Sequence, residues 1–200
     1  MTTPILLALA TGYLLGSIPF GLLLTRFSGR GDLRDIGSGN IGATNVLRTG
    51  SKGLAAATLL LDAAKGAAAV FLALHFWPEG IKMAAAGVLL GHLYPVWLKF
   101  SGGKGVATVL GVLIPLLPQA AMVYAIIWLS LLLLVRISSV AGMVAVASAP
   151  VSAKIFHQDY YFPLFLCIAL LVIWKHKDNI RRLIAGTEPR IGRSNEEREA

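Results

Sequence analysis

VATVLGVLIPLLPQAAMVYAIIWLSLLLLV, residues 106–135, is an uncharged and mostly apolar run, and its division decides the fold. As one α-helix it would be about 45 Å long, against a hydrocarbon core of about 30 Å. Pro115 and Pro118 fall near its middle, where each removes a backbone donor and crowds the preceding turn. Two short spans, Val106–Leu117 and Gln119–Val135, fit better. Outward from this run, apolar stretches occupy Pro4–Thr25, Gly53–Trp77, Ile81–Leu98, Ser138–Phe156 and Tyr160–Trp174, which makes seven spans.

Charge tests that count. With seven spans, the segments 26–52, 99–105, 136–137 and 175–200 share one side and carry 15 of the 18 lysines and arginines. The opposite side keeps Lys82 and Lys154, and Lys65 lies inside a span. The positive-inside rule places the basic side in the cytoplasm and the N-terminus outside. Reading 106–135 as one span would move the basic tail to the other side and erase most of the bias.

Composition agrees. Of the 200 residues 56% are hydrophobic and only 14% charged, against roughly 25% charged in a soluble domain. A soluble surface could not be built from this chain. The expected fold is an all-α integral membrane protein of seven transmembrane helices. It has one domain over 1–192 and a short charged cytoplasmic tail over 193–200, partly disordered beyond Gly192. The first apolar stretch lacks a basic leader and a convincing cleavage site, and reads as a retained span. The net charge of +8 lies in short loops of a greasy chain, so topology and anionic substrates explain it better than nucleic acid does. Cys167, alone in an apolar run, forms no internal disulfide.

Three polar constellations fall on the basic side. The first is Gly37-Ser38-Gly39-Asn40-Ile41-Gly42-Ala43-Thr44-Asn45-Val46-Leu47-Arg48. Its glycines let the backbone turn tightly and approach a ligand, Ser38, Asn40, Thr44 and Asn45 supply neutral hydrogen-bonding groups, and Arg48 adds a fixed charge. An ordinary membrane-edge turn needs less than this. The second is Gly91-His92 through Pro95, then Phe100 and Ser101-Gly102-Gly103-Lys104-Gly105. It is not a P-loop, since Gly105 stands where Ser or Thr would bind magnesium. Its glycines imply close approach to something, with Lys104 as an anion ligand or a topology charge and His92 as a helix-end support.

The third constellation is His176-Lys177-Asp178-Asn179-Ile180-Arg181-Arg182-Leu183, then Gly186-Thr187-Glu188. His176 and Asn179 share a helical face. Lys177, Arg181 and Arg182 suit a juxtamembrane helix touching anionic lipid. Asp62 and Lys65, three residues apart inside a span, read as a structural ion pair. Ser139 is a weaker phosphate contact. The four tryptophans mostly sit near span ends, as an aromatic belt would.

Together these motifs resemble those of the bacterial membrane-embedded acyl-phosphate:glycerol-3-phosphate acyltransferases, in the same order and over nearly the whole chain. The resemblance implies a seven-span enzyme of the bacterial cytoplasmic (inner) membrane with a cytoplasmic active site. It would move a fatty acyl group from acyl phosphate to sn-glycerol 3-phosphate, giving 1-acyl-glycerol 3-phosphate (lysophosphatidic acid) and phosphate. On that reading Ser38, Arg48, Lys104, His176 and Asn179 carry the chemistry. Gly37, Gly39, Asn40, Gly42, Thr44, Asn45, Gly102, Gly103 and Ser139 hold substrate or phosphate, and Asp62, Lys65, His92 and Glu188 support them. The proton of the glycerol hydroxyl goes to the donor's own phosphate or to His176. No cofactor and no metal are expected. The expected partners are the two substrates, membrane lipid and, as a candidate, the soluble acyl-phosphate synthase, with no nucleic acid. The different-class alternative is a transporter of an anionic phosphate ester. Such a protein would place its site near the bilayer midplane at broken helices.

Overall fold

The structure is a computed structural model that describes residues 2–192; the expected tail 193–200 lies outside the described residues. Among the described residues every regular element is helical. The chain divides into two compact units, Met1–Ala121 and Met122–Ala200.

The first unit holds α1 (Thr3–Gly16), α2 (Phe20–Phe27), α3 (Ala43–Leu47), α4 (Lys52–Phe76), α5 (Ile81–Leu93) and α6 (Val106–Leu116). Short 3₁₀ turns lie at Leu33–Asp35, Pro78–Gly80 and Val96–Leu98. Helix α7 (Pro118–Leu134) begins in this unit and lies mostly in the second, with α8 (Ser138–Ile155), α9 (Phe162–Lys175) and α10 (Lys177–Ile184). Four segments are long and apolar enough to cross a membrane, Thr3–Phe27, Lys52–Phe76, Pro78–Leu98 and Ser138–Ile155; α6, α7 and α9 are apolar but shorter.

The division of residues 106–135 falls at Leu117, whose extended backbone separates α6 from α7. Pro115 stays inside α6. Pro118 opens α7, a position where a missing N–H costs nothing. The first expected span is interrupted. Pro19 cannot donate to Leu15, the helix stops at Gly16, and a tight turn closes with Phe20 N donating to the Ile18 carbonyl. The expected span Ile81–Leu98 is α-helical only to Leu93, because Pro95 ends it.

Helices α1 and α5 run parallel with their backbones almost touching. Gly80 faces Pro4 and Ile5, Gly87 faces Leu9 and Tyr13, and Gly91 faces Tyr13 and Ser17. A Cβ on Gly16 would collide with the Val88 carbonyl, and one on Gly91 with the Tyr13 carbonyl. Helices α4 and α6 cross in the same way through Gly66 and Gly111. Lipid tails give apolar side chains little reason to leave the bilayer, so this backbone approach supplies the van der Waals contact that joins the helices.

At one end of the unit, Leu22, Leu33, Ile41, Val46 and Ala55 form a buried cluster against which Leu47, Leu54 and Leu98 pack. That cluster folds the 26–52 segment down onto the helix ends. Through Leu98 it also joins the first glycine-rich segment to the second.

In the second unit the C-terminal segment returns to the turn between α7 and α8. Ile191 N donates to the Arg136 carbonyl at 2.7 Å, and Arg136 Nε donates to the Ile191 carbonyl at 3.1 Å.

Candidate active site

The first constellation is organised around Asn45, which is 2% exposed. Its Nδ2 donates to the carbonyls of Leu33 and Ile36 at 3.0 and 2.9 Å. Its Oδ1 accepts from the Ser38 main-chain N–H at 3.1 Å and lies 3.4 Å from the Ser38 hydroxyl. Arg48 approaches the same oxygen at 3.5 Å. Asn45, expected among the phosphate contacts, thus spends its amide inside the loop and sets Ser38 and Arg48 beside each other. Gly37 makes this possible, since it takes φ +56° and any Cβ there would strike Asn45 Oδ1 and the Arg48 side chain. Asn40 Oδ1 accepts from Gly42 N at 3.2 Å and shapes the entry to α3. Ser38, Thr44 and Arg48 are exposed, and Gly39 and Asn40 half-buried.

The second constellation folds back on the end of α5. Gly102 N donates to the Leu93 carbonyl at 3.2 Å and Gly103 N to the His92 carbonyl at 3.0 Å. The close approach those glycines permit is to His92, whose ring would be struck by a Cβ on Gly103. Their N–H groups, expected to face phosphate, are engaged within the chain. Lys104 follows, half-buried, and Gly105, at φ +89°, opens α6.

The third constellation is organised around Glu188, whose side chain is 5% exposed. Ser139 Oγ donates to Oε1 at 2.6 Å, Asn179 Nδ2 donates to the same oxygen at 2.5 Å, and Arg182 Nε donates to Oε2 at 2.7 Å. Burial alone would raise this carboxyl. The three hydrogen bonds and the Arg182 charge outweigh it and hold Glu188 below the usual glutamate range. His176, 2% exposed, has Nδ1 at 2.7 Å from the Val172 carbonyl. Two lone pairs cannot face each other there, so Nδ1 carries the hydrogen. A neutral His176 then keeps its lone pair on Nε2.

Inside the first unit Lys65 Nζ lies 2.7 Å from Asp62 Oδ1. It also donates to the Ile18 carbonyl at 2.8 Å, beside the break in the first span. Groups of His, Cys, Asp and Glu that could hold a metal are absent among the described residues.

A profile of the glycerol-3-phosphate acyltransferase family matches residues 6–186. A glycerol-3-phosphate acyltransferase of Mesorhizobium japonicum is 59% identical over 96% of this chain and 98% of its own. One of Erythrobacter litoralis is 54% identical over 93% and 94%. The chain belongs to the glycerol-3-phosphate acyltransferase family.

Two crystal structures of the integral membrane glycerol 3-phosphate acyltransferase PlsY share the fold. The glycerol 3-phosphate form has a TM-score of 0.87 at 36% identity, covering 94% of this chain and 96% of that one. The lysophosphatidic acid form has a TM-score of 0.85 at 35% identity. In this member of the acyltransferase family, Arg182 and Trp97 take parts that a reading of the sequence did not give them. Arg182 reads as a lipid-facing charge, yet it grips Glu188. Trp97 reads as belt, yet its Nε1 donates to the Ser17 carbonyl at 2.7 Å, next to the broken turn.

Proposed function

We propose that this protein transfers a fatty acyl group from acyl phosphate to sn-glycerol 3-phosphate, giving 1-acyl-glycerol 3-phosphate and inorganic phosphate, in the first acylation of phospholipid synthesis. The observation that carries this reading is the loop in which Asn45 sets Ser38 and Arg48 side by side, in a chain of the acyltransferase family.

The glycerol hydroxyl oxygen attacks the acyl carbonyl carbon. A new ester C–O bond forms, the bond from that carbon to the phosphate oxygen breaks, and phosphate leaves with the electron pair. Two acceptors are proposed for the hydroxyl proton, the leaving phosphate and His176. Acyl phosphate is already activated, so positioning of two bound reactants supplies much of the rate. Ser38, Asn40 and the first turn of α3 with Thr44 cradle a substrate phosphate. Arg48 and Lys104 clamp glycerol 3-phosphate and neutralise charge near the reacting carbonyl. His176 and Asn179 orient the glycerol hydroxyl or the donor head, with Glu188 and Ser139 holding Asn179. An apolar groove of about 620 Å³ lined by Leu6, Leu9, Tyr13, Leu90, Tyr94 and Phe100 offers the acyl chain a place in the first unit.

The topology proposed with this function is seven spans, N-terminus outside and C-terminus in the cytoplasm of the bacterial inner membrane, with the soluble acyl-phosphate synthase as a candidate partner. The parallel run of α1 and α5 supports a shared direction for the first and third crossings. A transporter is the weaker reading. The break at Ser17–Pro19 is the discontinuity such proteins use, but here its carbonyls are taken by Lys65 and Trp97.

The deciding experiment gives purified protein acyl phosphate and radiolabelled glycerol 3-phosphate. Labelled lysophosphatidic acid is expected, and its absence from a folded sample sinks the enzyme reading. For the proton, the single-turnover rate of His176→Ala separates the acceptors. A loss below about tenfold assigns the leaving phosphate, and one of 10²–10⁴ with intact binding assigns the imidazole.

A further inference from the structure

Asp62, Lys65 and His92 are 3–4% exposed and take no direct part in the chemistry proposed above. Burying an ion pair in a membrane helix is expensive, and an apolar pair of similar volume would serve simple packing as well or better. Lys65 nevertheless pairs with one Asp62 oxygen, and the His92 ring faces the same oxygen from beyond hydrogen-bond distance. Asp62 Oδ1 lies 2.7 Å from Lys65 Nζ and 3.7 Å from His92 Nδ1.

Each end of this cluster touches a backbone irregularity. Lys65 donates to the Ile18 carbonyl where the first span breaks. His92 sits under the loop that leads to α6: its carbonyl accepts from Gly103 N, and its ring occupies the space a Cβ on Gly103 would need. A Cβ on Gly102 would meet the His92 carbonyl. The next residue is Lys104, followed by Gly105 in the left-handed region at φ +89°. The main chain of Lys104 is therefore fixed on one side by His92 and on the other by the start of α6. The His92 ring packs directly against the main chain that leads to Lys104.

We infer that Asp62, with Lys65 as its counter-charge, is a positioning residue that orients His92 and through it sets the place of Lys104 relative to the substrate phosphate. This inference rests on the reading of Lys104 as a phosphate ligand. Its signature is a weakened hold on glycerol 3-phosphate without loss of the fold. The effect must also depend on Lys104 being present, because residues acting through one another are non-additive.

The test is steady-state kinetics on the purified full chain with acyl phosphate and glycerol 3-phosphate. The variants are Lys104→Gln, Asp62→Asn, His92→Phe and Asp62→Asn/Lys65→Met, each single change repeated in the Lys104→Gln background. The charge-free Asp62→Asn/Lys65→Met pair covers the case in which Asp62→Asn, with its lysine left unpaired, does not fold. Expected is a rise of about tenfold in the KM for glycerol 3-phosphate for each positioning variant, with kcat changed less than threefold. In the Lys104→Gln background the same changes should move KM less than twofold. Equal fold-changes in both backgrounds overturn the inference. So does a fall in kcat that tracks the folded fraction at constant KM, which is what a purely structural ion pair gives. If Lys104→Gln itself leaves KM unchanged, the assignment of Lys104 fails first and this inference falls with it.

Discussion

The segments around Asn45 and Glu188 solve one problem by opposite means. Asn45 is neutral and binds mainly the backbone: two carbonyls, one N–H and, at longer range, Arg48. Glu188 is ionised and binds side chains from α8 and α10. A loop held through its backbone has a shape that protonation does not touch, but a change in the hub side chain disturbs every turn at once. A cluster held by a carboxylate tolerates sequence change at its edges and is exposed to pH.

The sharpest way to break this comparison is Asn45→Asp. The new oxygen would face the carbonyls of Leu33 and Ile36 where Nδ2 now donates. Three acceptors would then crowd together, at a buried polar cost of about 1–3 kcal/mol per lost partner. The expected loss in kcat/KM is on the order of 10³-fold, roughly 4 kcal/mol of transition-state stabilisation. A loss below tenfold would remove Asn45 from the centre of the loop.

Glu188→Gln keeps an oxygen for Ser139 and Asn179 but removes the charge that Arg182 meets. A smaller loss of about 30-fold is expected, close to 2 kcal/mol, in line with hydrogen bonds to charged groups. Steady-state kinetics of the two variants side by side rank the hubs directly.

The pH response comes next. Glu188 is held below the usual glutamate range in the folded protein. Its contribution to stability is therefore complete above the unfolded value and is lost as pH falls through the lower, folded one. Hydrogen exchange, corrected for intrinsic rates, should show residues 176–192 losing protection on acidification below about pH 4. Residues 37–48, which contain no acidic group, should hold. Asp32, beside that loop, is kept ionised to still lower pH, first by its hydrogen bonds from Arg34 and then by the Arg34 and Arg26 charges. Parallel loss in both segments would end the distinction.

The smallest effect serves as a control remote from both hubs. Leu9→Trp should fill part of the apolar groove and shift preference toward shorter acyl chains by about threefold, below 1 kcal/mol. Competition between long and short acyl phosphates measures it, and the KM for glycerol 3-phosphate should not move.

Much of the helical layout was legible because an apolar run, its length and its prolines are all one-dimensional quantities. The break at Leu117 falls one residue from the division that Pro118 marks, and α8 begins at the expected Ser138. The break at Ser17–Pro19 is not legible from Pro19 alone, because the flanking residues are as apolar as a continuous span. The glycine contacts between α1 and α5 were hidden for a similar reason. Gly12, Gly16, Gly87 and Gly91 stand four apart in each helix, yet small residues in greasy runs give no sign of which helix they face. In the candidate site, residue types in short polar stretches revealed where chemistry concentrates. They do not reveal who donates to whom, so the loop-internal bonds of Asn45 and the grip of Arg182 on Glu188 are visible only in the structure.

The backbone seam between α1 and α5 also bears on how the chain is assembled. Residues 17–80 separate the two helices. At roughly 5–20 residues per second of synthesis, α1 is made about 3–13 s before the strip of glycines that fits it. During that interval Gly12 and Gly16 present a shallow notch to the bilayer, open to any other helix with a small-residue face. Early insertion is thus the stage at which this protein is most exposed to the wrong neighbour, and arrival of α5 ends the exposure.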